Sequence, residues 1–220
     1  MGKTCNPHRL HASTHPLVQD ALLKLRNVET GPEQFRALTA RLALLLAMEA
    51  THNLCVTPTF VTTPMQVTAN GRRLRDKIGL FPILRAGLEM ANPILKTLLP
   101  GATTWHIGLY RDEQTLQPVE YYNRLPYPLP INRAFVLDPM LATGRSAVAT
   151  IAILKKHGVD GITFIGILAA PEGVELLTET YPDVDIHLAA VDERLNDIGY
   201  IIPGLGDAGD RQFGTGGEGP

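Results

Sequence analysis

Residues 134–150 read AFVLDPMLATGRSAVAT, and the order of residue types within them sets the architecture. Ala134–Leu137 is a short apolar run of the kind that forms a strand buried on both faces. It stops at a single acid, Asp138. A loop of small residues with Thr143 and Gly144 follows, then helical apolar spacing from about Ser146. A strand that turns directly into a helix presents unpaired backbone N–H groups at the helix N-terminus, where the dipole also favours an anion. Gly144 permits close backbone approach, and the Thr143 and Ser146 hydroxyls add donors. Two readings stand at this level: a phosphate cradle, or an ordinary strand-to-helix turn capped by Thr and Ser. The stretch is neither a Walker A loop, since no Gly-Lys-Ser/Thr follows, nor a G-x-G-x-x-G dinucleotide turn.

Outward from this stretch the same rhythm recurs. Further strands are expected at Ile78–Leu84, Trp105–Tyr110, Ile162–Leu168 and Ile186–Val191, with helices at about Glu89–Leu99, Ser146–His157 and Pro171–Tyr181. Apolar strands alternating with helices predict an α/β fold with a mostly parallel central sheet flanked by helices. Ligands of such sheets bind beyond the carboxyl ends of the strands. Ahead of this region the spacing predicts an N-terminal helical part: one helix opened by Pro16, and a second from Pro32 to about Asn53. Its apolar run Leu42–Met48 reads as core packing or a subunit contact. Val56–Asp76 alternates around Asn70-Gly71, which predicts a β-hairpin turning there.

With 20 basic and 22 acidic residues in 220, and 45% hydrophobic content, the chain is an ordinary globular protein of net charge −2. A single domain over residues 1–220 is expected, with 1–14 and 216–220 flexible. Nucleic acid is disfavoured as a partner because no basic excess is present. No membrane segment is expected, since the longest apolar stretch is far below the ~20 residues needed to cross a bilayer. The N-terminus lacks the apolar core of a signal peptide, and Cys5 and Cys55 read as reduced thiols, so a cytoplasmic location is expected. His8, His11 and His15 have spacings a helix could align, but Pro7 and Pro16 flank them without an acid; they read as part of the flexible end rather than a metal site. The acids from Asp183 to Asp192 alternate with apolar residues and read as a strand with one wet face.

Strand, acid, then A-T-G-x-S opening a helix resembles the phosphoribosyl-pyrophosphate (PRPP) motif of the type I phosphoribosyltransferases, and D-P-M-L-A-T-G is similar to the uracil phosphoribosyltransferase family in particular. FPILRAGLEMA (81–91), GLYRDEQTLQPVEYYNRLP (108–126), AAPEGV (169–174) and YIIPGLGDAGDRQFGT (200–215) agree with that family in order along the chain, so the resemblance spans residues 15 to 215. Two departures stand out. Many of the superfamily carry two adjacent acids where Pro139 follows Asp138, and Arg145 lies where the family usually has a second glycine. A left-handed backbone at Arg145 would be strained. A helical one, favoured because a helix starts next to it, merely sets a cation near the phosphate entrance.

The resemblance implies a pentosyltransferase that moves a 5-phosphoribosyl group from PRPP to N1 of uracil, yielding UMP and diphosphate in pyrimidine salvage. Such chemistry needs positioning and charge stabilisation more than a protein nucleophile. It implies PRPP contacts at Arg85, Arg111, Asp138, Pro139, Met140, Leu141, Ala142, Thr143, Gly144, Arg145, Ser146 and Asp207. Asp138, on the ribose hydroxyls, and Arg111 are the expected catalytic residues. Arg85 and Arg111 each follow an expected strand, where a guanidinium can clamp diphosphate oxygens; an isolated arginine would otherwise read as a solvated surface residue. Ala86 and Gly87 are expected to bring the loop backbone against the diphosphate, and residues 112 to 124 to form a hood that excludes water. Ile201, Gly206, Asp207 and Ala208 are the implied uracil contacts, largely through main chain, and cytosine would be rejected by up to ~10⁴. Mg²⁺ is expected to enter as its PRPP complex rather than on direct protein ligands. The resemblance also brings GTP as a candidate activator and a homodimer or larger homo-oligomer. Two rivals remain at this level: transfer to another nucleobase, and a nucleotide-sensing regulator that kept the fold without turnover.

Overall fold

A computed structural model describes residues 9–111 and 118–216. The chain opens with β1 (Leu10–Ala12), α1 (Pro16–Arg26) and α2 (Pro32–Ala50). A proline stands in the first turn of each helix, where its missing N–H is not needed, and His15 caps α1 by accepting from the Leu17 N–H. The hairpin β2 (Val56–Thr62) and β3 (Thr68–Leu74) follows, then β4 (Ile78–Leu84) and α3 (Leu88–Pro93), which runs into a π-helical turn at Ile94–Leu98. Next come β5 (Thr103–Thr104), β6 (Ile107–Arg111), β7 (Pro118–Asn123), β8 (Arg133–Leu137), β9 (Met140–Leu141) and α4 (Arg145–Lys156). The chain continues through β10 (Gly161–Ile165), β11 (Leu168–Ala169), α5 (Pro171–Thr180), β12 (Asp185–Leu188), β13 (Ala190–Val191), β14 (Arg194–Leu195), β15 (Ile201–Ile202) and α6 (Ala208–Phe213).

The central sheet runs β1-β12-β10-β8-β4-β6-β7, with β5 added beside β4. Its pairings are parallel except that of β6 with β7. Alternate residues of β8 serve opposite faces. Phe135 and Leu137 join the cluster of Val18, Leu42, Leu46 and Met90 from α1, α2 and α3, whereas Ala134 and Val136 join that of Ile151, Leu154 and Leu177 from α4 and α5. The result is a three-layer α/β/α arrangement. β4 leads through α3 to β6 on one side, and β8 leads through α4 to β10 on the other, although β4 and β8 are neighbours. The loops after β4 and β8 therefore diverge and open a crevice between them, the topological switch point. Beyond it, β9, β11 and β13 form a small parallel sheet, which ties the loops leaving β8, β10 and β12 together.

Several expectations are corrected. Asn70 and Gly71 lie inside β3, paired with Phe60 and Thr59, and the hairpin turns instead at residues 63–67. There Pro64 sets its own φ, the Gln66 N–H donates to the Thr63 carbonyl, and Gln66 takes a φ of 60°. Ordered structure at the N-terminus begins earlier than expected, inside the segment 1–14. Residues 10–12 are an edge strand paired with β12, His11 stacks on His187 at 4.5 Å, and the Ser13 hydroxyl donates to Glu49. Residues 1–8 and 217–220 lie outside the described residues. Of the expected hood, residues 118–123 form β7 rather than a loop, and residues 112–117 lie outside the described residues. The Ile162–Leu168 and Ile186–Val191 runs each break into two strands as they pass from the central to the small sheet. No helix among the described residues is long and apolar enough to cross a membrane.

Candidate active site

The loop after β8 is built from its backbone outward. The Asp138 N–H donates to the Ile165 carbonyl at 3.3 Å, which continues the sheet by one residue. The Pro139 carbonyl accepts from Ile167 and Leu168, and the Leu141 carbonyl accepts from Ala170. Pro139 is thus buried in the join with β11 and does not line the cavity in front of it. Gly144 adopts φ 75°, a left-handed turn that aims the start of α4 back at the crevice. A Cβ there would also stand 2.8 Å from the Gly173 carbonyl, and one at Gly173 would strike the Ala142 carbonyl. Two glycines therefore let the first turn of α5 back the loop directly, which explains why AAPEGV belongs with the site. Arg145 is the first residue of α4, helical and exposed, so the strained alternative does not occur.

Asp138, Met140, Leu141, Ala142, Thr143, Gly144, Ser146 and Ala147 line a cavity of about 80 Å³ at this helix start. Asp138 Oδ1 accepts from the Met140 N–H at 3.3 Å, which aims the carboxylate. Burial pushes its carboxyl up to about 7, against a smaller opposite pull from that hydrogen bond. A carboxylate so placed offers free acceptor lone pairs to a hydroxyl-bearing ligand when ionised.

A second cavity of about 250 Å³ adjoins the first, lined by Met140, Ala142, Ile198, Gly199, Tyr200, Ile201, Gly206, Asp207 and Ala208. Met140 and Ala142 form walls of both cavities. Gly204 and Gly206 have φ of 62° and 79°, and the Asp207 carboxylate caps α6 by accepting from the Asp210 N–H at 2.8 Å. Sequence reading missed what holds this loop. Asp192 pairs with Arg26 at 2.5 Å and also accepts from the Gly204 N–H, while Arg26 donates to the Gly204 carbonyl. Asp192 is therefore a buried anchor and not part of a wet strand face. The Arg211 guanidinium donates to the carbonyls of Leu25, Leu205 and Asn27 and lies 4.6 Å from the Phe35 ring centre. Neither ion pair nor staple has a local signature, because the partners lie far apart in sequence. Ile198, Gly199 and Tyr200 were likewise missed as lining residues, although they directly precede the glycine-rich segment.

Arg85 stands beyond the end of β4, after a cis Leu84–Arg85 peptide, and its Nη2 lies 3.1 Å from Asp210 Oδ1. At Gly87 a Cβ would strike the Leu137 carbonyl and Ile83, so the glycine is required by packing against β4 and β8. Arg111 ends β6, at the mouth of the ribbon formed with β7. Among the described residues, no group of three side chains converges to hold a metal. The carboxylates of Asp138 and Asp207 line adjoining cavities and offer the hard oxygen donors that suit a Mg²⁺ ion held mainly by substrate phosphates and water.

A mostly parallel sheet, a small-residue loop opening α4 and an adjoining pocket across one shared wall agree with the type I phosphoribosyltransferase class that the sequence resembles. Comparison with known proteins narrows the class. Residues 12–215 match the family described as "Uracil phosphoribosyltransferase". Proteins named uracil phosphoribosyltransferase from Roseiflexus sp. (54% identical over 93% of this chain and 97% of theirs), Dictyoglomus thermophilum (55%, 91% and 97%) and Bacillus pumilus (50%, 94% and 99%) are similar along nearly their whole length. The solved structure of the AQ2163 protein from Aquifex aeolicus superposes with a TM-score of 0.86 at 35% identity, over 93% of this chain and 97% of that one. The chain belongs to the uracil phosphoribosyltransferase family, which are pentosyltransferases.

Proposed function

We propose that this protein transfers the 5-phosphoribosyl group of PRPP to N1 of uracil, releasing UMP and diphosphate. The observation that carries the reading is the wall shared by the two cavities at Met140 and Ala142. A 5-phosphate in the 142–146 cradle and ribose hydroxyls on Asp138 leave the anomeric carbon facing the base pocket. The C1–oxygen bond to diphosphate breaks, the N1–C1 bond forms, and the N1 proton passes to solvent or diphosphate. Positive charge grows on the ribose as negative charge gathers on the leaving group, so the chain's task is orientation and charge stabilisation. Arg85 and Arg111 take the diphosphate, and peptide groups around Ile201, Gly206 and Ala208 read the acceptor-donor-acceptor edge of uracil. Mg²⁺ arriving with PRPP would neutralise charge on the departing diphosphate, with Asp207 as an outer-sphere support.

The reading extends to a cytoplasmic enzyme, in keeping with a composition of two cysteines, and to self-association, supported by the β2–β3 hairpin, which exposes Phe60, Val61, Met65 and Val67. GTP activation rests on the family resemblance alone. The test is diphosphate release from Mg²⁺-PRPP with uracil, cytosine, hypoxanthine or no base. Release with uracil alone, together with UMP, is expected. Release with a different base overturns the account of the 200–209 loop, and PRPP binding without turnover would make the protein a sensor.

A further inference from the structure

The C-terminal helix α6 begins at the base pocket, with Ala208 in its lining, and ends against the loop that carries Arg85. It grips that loop at several points. Asp210 Oδ1 accepts from Arg85 Nη2 at 3.1 Å, and the Arg85 guanidinium carbon lies 5.6 Å from the Phe213 ring centre. Gln212, fully buried, donates from Nε2 to the Ala86 carbonyl at 3.3 Å. Gly209 leaves the room: a Cβ there would sit 3.3 Å from Arg85 Nη2. The Asp210 carboxylate is itself held, because Thr215 Oγ1 donates to Oδ1 at 2.7 Å. At the other end of the same turn, the Asp207 carboxylate receives the Asp210 N–H. The Arg85–Asp210 pair is half exposed and adds little to folding stability. Its effect is on where the guanidinium stands.

We propose that α6 is a clasp joining the two substrate sites, in which Asp210, backed by Thr215, is a positioning residue for Arg85, so that filling the base pocket strengthens the grip on diphosphate. The proposal rests on the assignment of Arg85 to diphosphate and of residues 201–208 to uracil. A base seated on Gly206–Ala208 steadies the first turn of α6, and that turn carries the carboxylate that aims Arg85. A guanidinium already aimed loses less freedom on binding an anion than one left to rotate.

The experiment is calorimetric titration of the whole protein with Mg²⁺-diphosphate, with and without saturating uracil. Wild type, Asp210→Asn, Thr215→Val, Arg85→Gln and the Arg85→Gln/Asp210→Asn double variant are compared. For Asp210→Asn, diphosphate binding should weaken ~3- to 10-fold while uracil binding alone stays within about twofold. Uracil should tighten diphosphate in the wild type and no longer do so in this variant, whose KM for PRPP should rise with kcat nearly unchanged. Thr215→Val should shift in the same direction by less, and the double variant should bind diphosphate no more weakly than Arg85→Gln alone. Additive losses in the double variant, an equal loss of uracil affinity, or tighter diphosphate binding by Asp210→Asn would each overturn the clasp; the last would make Asp210 a competitor for Arg85. A wild type that neither binds diphosphate nor forms UMP would instead overturn the functional reading itself.

Discussion

Asp138 is the carboxyl to which the proposed function assigns the ribose hydroxyls, and its environment has a consequence for stability. The carboxyl titrates at about 7 in the folded protein against an ordinary 3.8, chiefly through burial. As pH rises from about 4 to 7 the unfolded chain releases this proton first, so folding is progressively disfavoured over that window and the effect is flat above it. Asp138→Asn should therefore be more stable than the wild type at pH 7.5, by up to ~4 kcal/mol, and so melt higher there but not at pH 4. Paired thermal melts at the two pH values check this. The same substitution should lower kcat/KM for PRPP by ~10² or more. Difference titrations between wild type and variant should show PRPP affinity growing as the carboxyl ionises. A residue that costs stability at working pH is kept for what it does when substrate is present. Asp138 was legible in the sequence as the acid ending a buried strand, and Gly144 as the residue that turns the loop. The packing role of Gly87 was not legible, because a glycine pressed on a carbonyl and one pressed on a ligand look the same in a row of letters.

At the scale of elements, strands and helices followed their apolar runs closely, since a strand buried on both faces leaves an unmistakable run and Ile78–Leu84 is one such case. The hairpin shows where local signals fail. Asn70-Gly71 is the stronger turn signal in isolation, yet Pro64 and the pairing of Val56 with Leu74 place the turn elsewhere. The base loop shows a second failure, because its anchors come from α1 and from the residue after β13 and meet only in the folded chain. Asp192→Asn leaves the half-buried Arg26 without its carboxylate and loosens Gly204. It should destabilise the protein by ~2–4 kcal/mol and raise KM for uracil more than KM for PRPP. Denaturant melts and steady-state kinetics check the two halves of that expectation. Equal changes in both KM values would mean that the network supports the whole crevice rather than the base loop.

For the whole molecule, the part with no counterpart in the central domain is the β2–β3 hairpin. A two-stranded ribbon is marginal in water without a surface to rest on, and this one exposes Phe60, Val61, Met65 and Val67 by more than half. A homodimer in which the ribbon lies on a second copy resolves that imbalance. Light scattering should give a mass of at least twice 24.0 kDa. Phe60→Asp with Met65→Asp should lower it to that of one chain while leaving the fold intact by circular dichroism. An unchanged mass in the variant would move the interface elsewhere, and a monomeric wild type would remove it.

The base pocket proposed above sets Gly199, Gly206, Ala142 and Ala208, which offer only peptide and methyl groups, beside the larger side chains of Met140, Ile198, Tyr200 and Ile201. If uracil is read by the main chain, as proposed, that selectivity is insulated from point mutation, because exchanging one side chain does not rewrite which peptide donor or acceptor meets the ring. A cell exposed to a poisonous uracil analogue therefore has few ways to refine this enzyme's discrimination. Its open route is to discard the activity, and lineages that survive such selection should carry broken copies rather than fastidious ones.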